Sequence, residues 1–386
     1  MHTRPAPTAR RALGSAVEDD VLGLFEGAAT PPAAFYGAGK AALRDAVRLL
    51  DPAPDANVLL PSYLPDGVVE PFREAGLTVR FYCIDAALRP VVDDVEARLD
   101  DGTAAVVVAH YFGFPQDRVD ALRTLCDHHD TALVADNAHA PLSRRGDELL
   151  ATAADLGVTS FHKLFAVPDG AALLIPDDDL RERRDRLSLA GVADEYARRD
   201  AAFLARSTLG AVPGASGELP DPAAMLPERD GDDEDATAER DPRAIYLASK
   251  TPLSKLSAQL LRRTPRHRPV ERRRANARFW LRRLDDVEGI SPVFESLPDG
   301  VCPQALPVVV DDPAGLAALS DEWAAVCSPW PPLPTAVDAA DEYETASRLA
   351  GSLVRLPVHQ QLSPDDLRPH AAALHRWRDG ADRPRQ

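Results

Sequence analysis

Between residues 35 and 190, short apolar runs alternate with amphipathic stretches, and this alternation constrains the fold more than any other feature of the chain. Leu43, Val47 and Leu50 recur on one face of a helix over 41–50. Asn57-Val58-Leu59-Leu60 then reads as a strand closed by Pro61. Residues 67–75 read as a helix stopped by Gly76, and 79–82 as the next strand. The rhythm continues with a helix over 92–99, a strand over 104–109 ending at His110, and a helix over 118–129. A strand over 132–135 delivers Asp136, one over 157–159 precedes Ser160, and another covers 171–175. Strands that are apolar throughout and mostly separated by helices specify an α/β fold: a mostly parallel central sheet flanked by helices. In such sheets bound molecules collect at the carboxyl ends of strands. Pro61, His110, Asp136 and Ser160 stand at expected strand ends and are candidates for one site.

A chain of 386 residues is too long for one simple core. The expected division is an N-terminal arm (1–30), a large domain (31–212), an acidic loop (213–242) and a smaller C-terminal α+β domain (243–386). The acidic stretch holds Glu228-Arg229-Asp230-Gly231-Asp232-Asp233-Glu234-Asp235, whose charges repel and resist burial, so it is expected to be a mobile surface loop. Residues 269–284 read as a basic amphipathic helix, and 308–310 and 354–356 as strands. A formal charge of -17 argues against nucleic acid as a partner. No apolar run is long enough for a bilayer, and no apolar signal region follows the N-terminus. Four scattered cysteines suit a reducing compartment, so a soluble cytoplasmic protein is expected. Cys126, His128 and His129 cluster on one helix end without a matching ligand set, and no metal site is expected.

Lys163 carries the strongest chemical signal. The chain has only Lys40, Lys163, Lys250 and Lys255 among its 44 basic residues, and Lys163 sits in Ser160-Phe161-His162-Lys163 behind an apolar strand. An amine there, with Asp136 at an earlier strand end, suits pyridoxal phosphate. The lysine can form a Schiff base with the aldehyde, and the carboxylate can keep the pyridine nitrogen protonated. Gly37-Ala38-Gly39-Lys40 invites a P-loop reading, but that motif needs Gly where Ala34 stands and Ser or Thr where Ala41 stands. No preceding strand is evident either. What remains is a glycine turn entering a helix, whose N–H groups suit an anion.

Taken in order, several segments resemble the DegT/StrS-type sugar aminotransferases, which are fold-type-I pyridoxal-phosphate enzymes. They are Gly39-Lys40-Ala41-Ala42-Leu43, Leu60-Pro61-Ser62-Tyr63, Val108-Ala109-His110-Tyr111-Phe112-Gly113, Val134-Ala135-Asp136-Asn137-Ala138-His139, Ser160-Phe161-His162-Lys163 and Leu356-Pro357-Val358-His359. His139 stands where the family usually has Gln. The lysine follows the Ser-Phe-His segment at a shorter spacing than is common, and Pro168-Asp169-Gly170-Ala171 replaces a Gly-Glu-Gly-Gly turn. The resemblance implies Lys163 as the catalytic amine. It implies Asp136, His139, Gly39, Lys40, Ser160 and Tyr63 around the cofactor, with either Tyr63 or Tyr111 bordering its ring. It further implies an amino transfer from glutamate or glutamine to a keto-sugar nucleotide by a homodimer. Two alternatives stay open: a cofactor-dependent sugar dehydratase or isomerase, and a non-catalytic scaffold or regulator of the same fold.

Overall fold

The computed structural model describes residues 33–209, 241–264, 267–285 and 287–378. The expected arm at 1–30 and all but the last residues of the expected acidic loop at 213–242 lie outside them. The large sheet contains β1 (Ala33–Tyr36), β2 (Asn57–Pro61), β3 (Thr78–Tyr82), β4 (Thr103–Ala109) and β5 (Ala132–Asn137). A small hairpin of β6 (Arg144–Arg145) and β7 (Glu148–Leu149) intervenes before β8 (Leu156–Ser160) and β9 (Ala171–Leu174). The seven strands lie in the order β1-β9-β8-β5-β4-β2-β3. From β8 to β3 all pairings are parallel, whereas β9 runs antiparallel to both β8 and β1. The expected mostly parallel sheet is therefore present, with one reversed strand near its edge.

The expectation that no strand precedes Gly37 is overturned. β1 ends at Tyr36 and pairs with β9 through Ala33↔Leu174 to Tyr36↔Ala171. Four residues behind two prolines are too few to display a period in the sequence. Gly37 continues the strand's contacts: its N–H bonds the Thr251 carbonyl at 2.7 Å, and its carbonyl accepts from Gly170 N–H at 2.6 Å. The P-loop exclusion still stands on its missing glycine and hydroxyl.

A second sheet holds β10 (Ile290–Pro292), β11 (Ala305–Val310) and β12 (Leu353–Pro357), all antiparallel. One apolar core runs from the large sheet into this smaller one. A further cluster sets Phe35 and Phe161 against Leu256, Leu260 and Leu261 of a helix at Lys255–Arg262. That helix starts cleanly because the Ser254 hydroxyl accepts from Ser257 N–H at 3.0 Å.

The basic helix is present as His267–Leu284, yet two of its arginines face inward. The guanidinium groups of Arg273 and Arg274 donate to backbone carbonyls at 303, 304, 298 and 301. Sequence periodicity registers such residues as a solvated stripe, but their long apolar stems let them enter a core where carbonyls are left to satisfy. Among the described residues no helix is long and apolar enough to cross a membrane.

Candidate active site

The carboxyl ends of β4, β5 and β8 lie side by side, with Ala109 level with Asp136 and Asp136 level with Val158. This brings His110, Asp136 and Ser160 to one edge of the sheet. A helix we call α1 (Gly39–Leu50) begins at the same edge, and its N-cap, Ala38, makes no side-chain cap bond. No capping side chain occupies the first-turn N–H groups there, as a Ser or Asp cap would. Together these elements wall a pocket of about 660 Å³, counted out to its open mouth. Gly39, Lys40, Asp136, His139, Ser160 and Lys163 all line it, as do His110, Tyr111 and Trp330.

Lys163 enters the pocket from a tight turn behind β8. Leu164 and Phe165 N–H both return to the Phe161 carbonyl, at 3.0 and 2.8 Å, and Phe161 N–H bonds the Gly170 carbonyl at 2.8 Å. The Pro168-Asp169-Gly170 segment is pinned in turn. The Asp169 carboxylate accepts from Ser254 N–H and the Ser257 hydroxyl at 3.1 and 2.6 Å and pairs with Arg199 at 3.0 Å. The shortened loop is thus held by side chains of its own. Of the adjacent pair, Lys163 is in the pocket wall, whereas His162 Nδ1 lies 3.1 Å from the Ser160 hydroxyl, outside that wall.

The Lys163 amine lies 3.1 Å from His139 Nε2. The other imidazole nitrogen, Nδ1, accepts from Phe112 N–H at 3.3 Å. A nitrogen that accepts carries no proton, so a neutral ring bears its proton on Nε2, the nitrogen that faces the amine. The Phe112 ring stacks on the imidazole at 5.3 Å, and Trp330 meets it edge-on at 6.3 Å. Phe112 adopts φ 55°, which a bulky residue rarely does. Gly113 follows at φ +93°, where an added Cβ would meet the Cys302 carbonyl at 2.4 Å. The segment at 302–304 therefore presses on this turn, and Gln304 N–H bonds the Phe112 carbonyl at 2.7 Å.

The Asp136 carboxylate accepts from Ala138 N–H at 2.9 Å, which orients it at the pocket wall. His110 is 2% exposed, and its Nδ1 accepts from Gln116 N–H at 3.1 Å. Burial pushes its pKa down to about 4, so it is neutral near pH 7.

Tyr63 does not line the pocket. It is fully buried, and its ring stacks on Trp330 at 4.5 Å. Its carbonyl accepts from the Tyr111 hydroxyl at 2.6 Å. Burial raises the Tyr63 hydroxyl above its ordinary range, with Arg355 pulling it back. Of the two tyrosines, Tyr111 is in the wall and Tyr63 backs it. Trp330 is the wall residue that sequence reasoning missed. Its signal was a large aromatic in Ser328-Pro329-Trp330-Pro331-Pro332, a stretch whose prolines suit neither helix nor central strand.

Residues 30–311 match the model of the DegT/DnrJ/EryC1/StrS aminotransferase family. The chain belongs to that family. A curated relative from Saccharopolyspora spinosa, a dTDP-4-dehydro-2,3,6-trideoxy-D-glucose 4-aminotransferase, is 31% identical over 161 residues. That match spans 41% of this chain and 42% of the relative, well under its full length. Among solved structures, AtS13 from Actinomadura melliaura superposes with a TM-score of 0.68 at 20% identity, covering 97% of this chain and 98% of that one. The PLP form of a sugar aminotransferase described as putative, Spr1654 from Streptococcus pneumoniae, gives a TM-score of 0.68 at 16% identity, covering 96% and 92%. At these identities the two structures show the fold: the large α/β sheet with its smaller companion.

Proposed function

We propose that this family member is a pyridoxal-phosphate-dependent aminotransferase that moves an amino group from glutamate or glutamine to a keto-sugar nucleotide. The observation that carries the reading is the convergence of the Lys163 amine and the Asp136 carboxylate on one pocket, with His139 at 3.1 Å from the amine. The pocket's residues fit the cofactor on their own chemistry. The first turn of α1, Lys40 and the Ser160 hydroxyl offer donors for a phosphate. Asp136 is the residue to hold a proton on the pyridine nitrogen, and the pocket's apolar wall at Leu43, Leu64 and Val68 suits an aromatic ring. When bound, the cofactor supplies an aldehyde carbon and an electron-accepting ring.

The protein's own groups do the rest. Lys163 Nζ takes the proton from the donor's Cα, and in the second half-reaction returns one to the carbon that held the ketone. His139, fixed by Phe112 N–H, holds its Nε2 at 3.1 Å from Nζ and so keeps the amine placed within the pocket. Trp330 and Tyr111 close the wall, which limits water around the reacting atoms. Cytoplasmic location and a homodimer are part of the proposal. The first is supported by four cysteines that are all free, the second by the family resemblance.

The test is product analysis. The purified chain is incubated with pyridoxal phosphate, glutamate or glutamine, and a panel of nucleotide-linked 4-keto sugars. The expected product carries a new amine, and Lys163→Ala forms none. Turnover that survives Lys163→Ala would remove Lys163 from the mechanism, a deoxygenated or isomerised sugar without nitrogen would favour a dehydratase or isomerase, and cofactor binding without any amino transfer would favour a scaffold.

A further inference from the structure

Arg273 is the one fully buried arginine among the described residues, and its surroundings are unusual. Among the described residues no carboxylate pairs with it. Burial lowers its pKa to about 10, so the group keeps its charge at neutral pH. Every partner is a neutral oxygen. Nη1 donates to the Pro303 and Gln304 carbonyls at 3.1 and 3.0 Å, Nη2 to the Leu164 carbonyl at 3.2 Å, and Nε to Gln360 Oε1 at 2.8 Å. Gln360 Nε2 also donates to the Leu164 carbonyl, at 2.8 Å. Desolvating a cation with no counter-ion is costly, and a well-packed apolar side chain would avoid that cost. The arrangement therefore calls for a reason beyond stability.

The bonds close a ring. Leu164 is the residue after Lys163, and its carbonyl, at the end of the tight turn, receives two side-chain donors from the C-terminal part of the chain. On the other side, Gln304 gives its carbonyl to Arg273 and its N–H to the Phe112 carbonyl at 2.7 Å. Phe112 N–H then reaches His139 Nδ1, and His139 Nε2 reaches Lys163 Nζ. One guanidinium thus holds both the backbone that carries the amine and the segment that fixes the amine's imidazole partner.

We propose that Arg273, with Gln360, is a positioning residue that sets the Lys163–His139 geometry by clamping both of its supports. Arg suits the task because its planar fork donates in several fixed directions at once, which a lysine ammonium cannot reproduce. The clamp also joins the strand-end turn of the large sheet to the β11 and β12 regions of the small one. A shift between the two sheets would therefore be felt at the amine. The role in catalysis rests on the aminotransferase reading, but the geometry can be measured without any substrate.

The experiment is side-chain nitrogen NMR on the full chain labelled with 15N-histidine, with His139→Gln used to identify the His139 signals. In the wild type we expect a single pattern: Nε2 protonated, Nδ1 bare. Arg273→Met should lose that single pattern and show mixed tautomers, because Phe112 N–H is no longer held against Nδ1. Arg273→Lys should recover part of it. The turnover number should fall on the order of tenfold to a hundredfold in Arg273→Met, as expected for misplaced reacting groups. A folded Arg273→Met with the wild-type His139 tautomer pattern would overturn the proposal. Should Arg273→Met fail to fold, Gln360→Leu decides, since it keeps the cation and removes its Nε partner and one Leu164 donor. A partial loss of the tautomer pattern there supports the clamp, and an unchanged pattern overturns it. Failure of amino transfer with an intact tautomer response would count against the aminotransferase reading alone.

Discussion

Acidification should weaken the fold through His110, by an amount its surroundings allow to be worked out. The imidazole is 2% exposed and uses Nδ1 as an acceptor for Gln116 N–H, so the native state wants it neutral. Its pKa is lowered from 6.5 to about 4, with burial as the largest cause and Arg145 contributing in the same direction. A depressed folded pKa means that the unfolded chain binds the proton first. The associated stability is present above pH 6.5 and is lost as pH falls toward 4. Between pH 7 and pH 5 the loss amounts to about 2 kcal/mol. Only the roughly one and a half pH units below 6.5 count toward it, and each is worth roughly 1.4 kcal/mol for one proton taken up by the unfolded chain alone. The assay is urea unfolding at both pH values for the wild type and for His110→Gln, whose amide oxygen can still accept from Gln116 N–H. Other titrating groups contribute alike to both proteins and cancel in the difference. The wild type should lose about 2 kcal/mol more than the variant over this interval. Equal losses in the two proteins would refute the claim that His110 is held neutral by burial.

Two further outcomes follow from the geometry around the pocket. Gly113→Ala should destabilise the chain by about 2 kcal/mol or more in urea unfolding, because its φ of +93° strains any side chain and the new Cβ would collide with the Cys302 carbonyl. Trp330→Ala should cost about 3–5 kcal/mol in the same assay and expose Tyr63 to the pocket, since the indole is 7% exposed and stacks on that ring. The indole is replaced with far less loss by Phe, which keeps the stacking surface, so Trp330→Phe serves as the control.

The sequence by itself determined the parallel sheet and the edge at which the pocket forms. Strands buried on both faces must be apolar throughout, so β2, β4, β5 and β8 stand out as runs, and the first polar residue after each run marks a strand end. Asp136 was legible for that reason, Ser160 as the residue behind the short strand over 157–159, Lys163 as one of only four lysines and placed just beyond it, and Gly39-Lys40 as a glycine turn entering a helix. β1 was not legible: it is only four residues long, and it is a strand because β9 offers it an edge. Only the tertiary structure could show which tyrosine lines the wall, because Tyr63 and Tyr111 both sit near strand ends and differ only in what packs over them. Trp330 and Arg273 were beyond the sequence for the same physical reason. Each reaches the pocket or its supports across more than a hundred residues of chain, and local periodicity carries no record of a contact made that far away. Period and composition fix what each segment can bury. Which partners meet is decided by the way the two sheets close on one another, and that closure sets the bonds around the Lys163 amine.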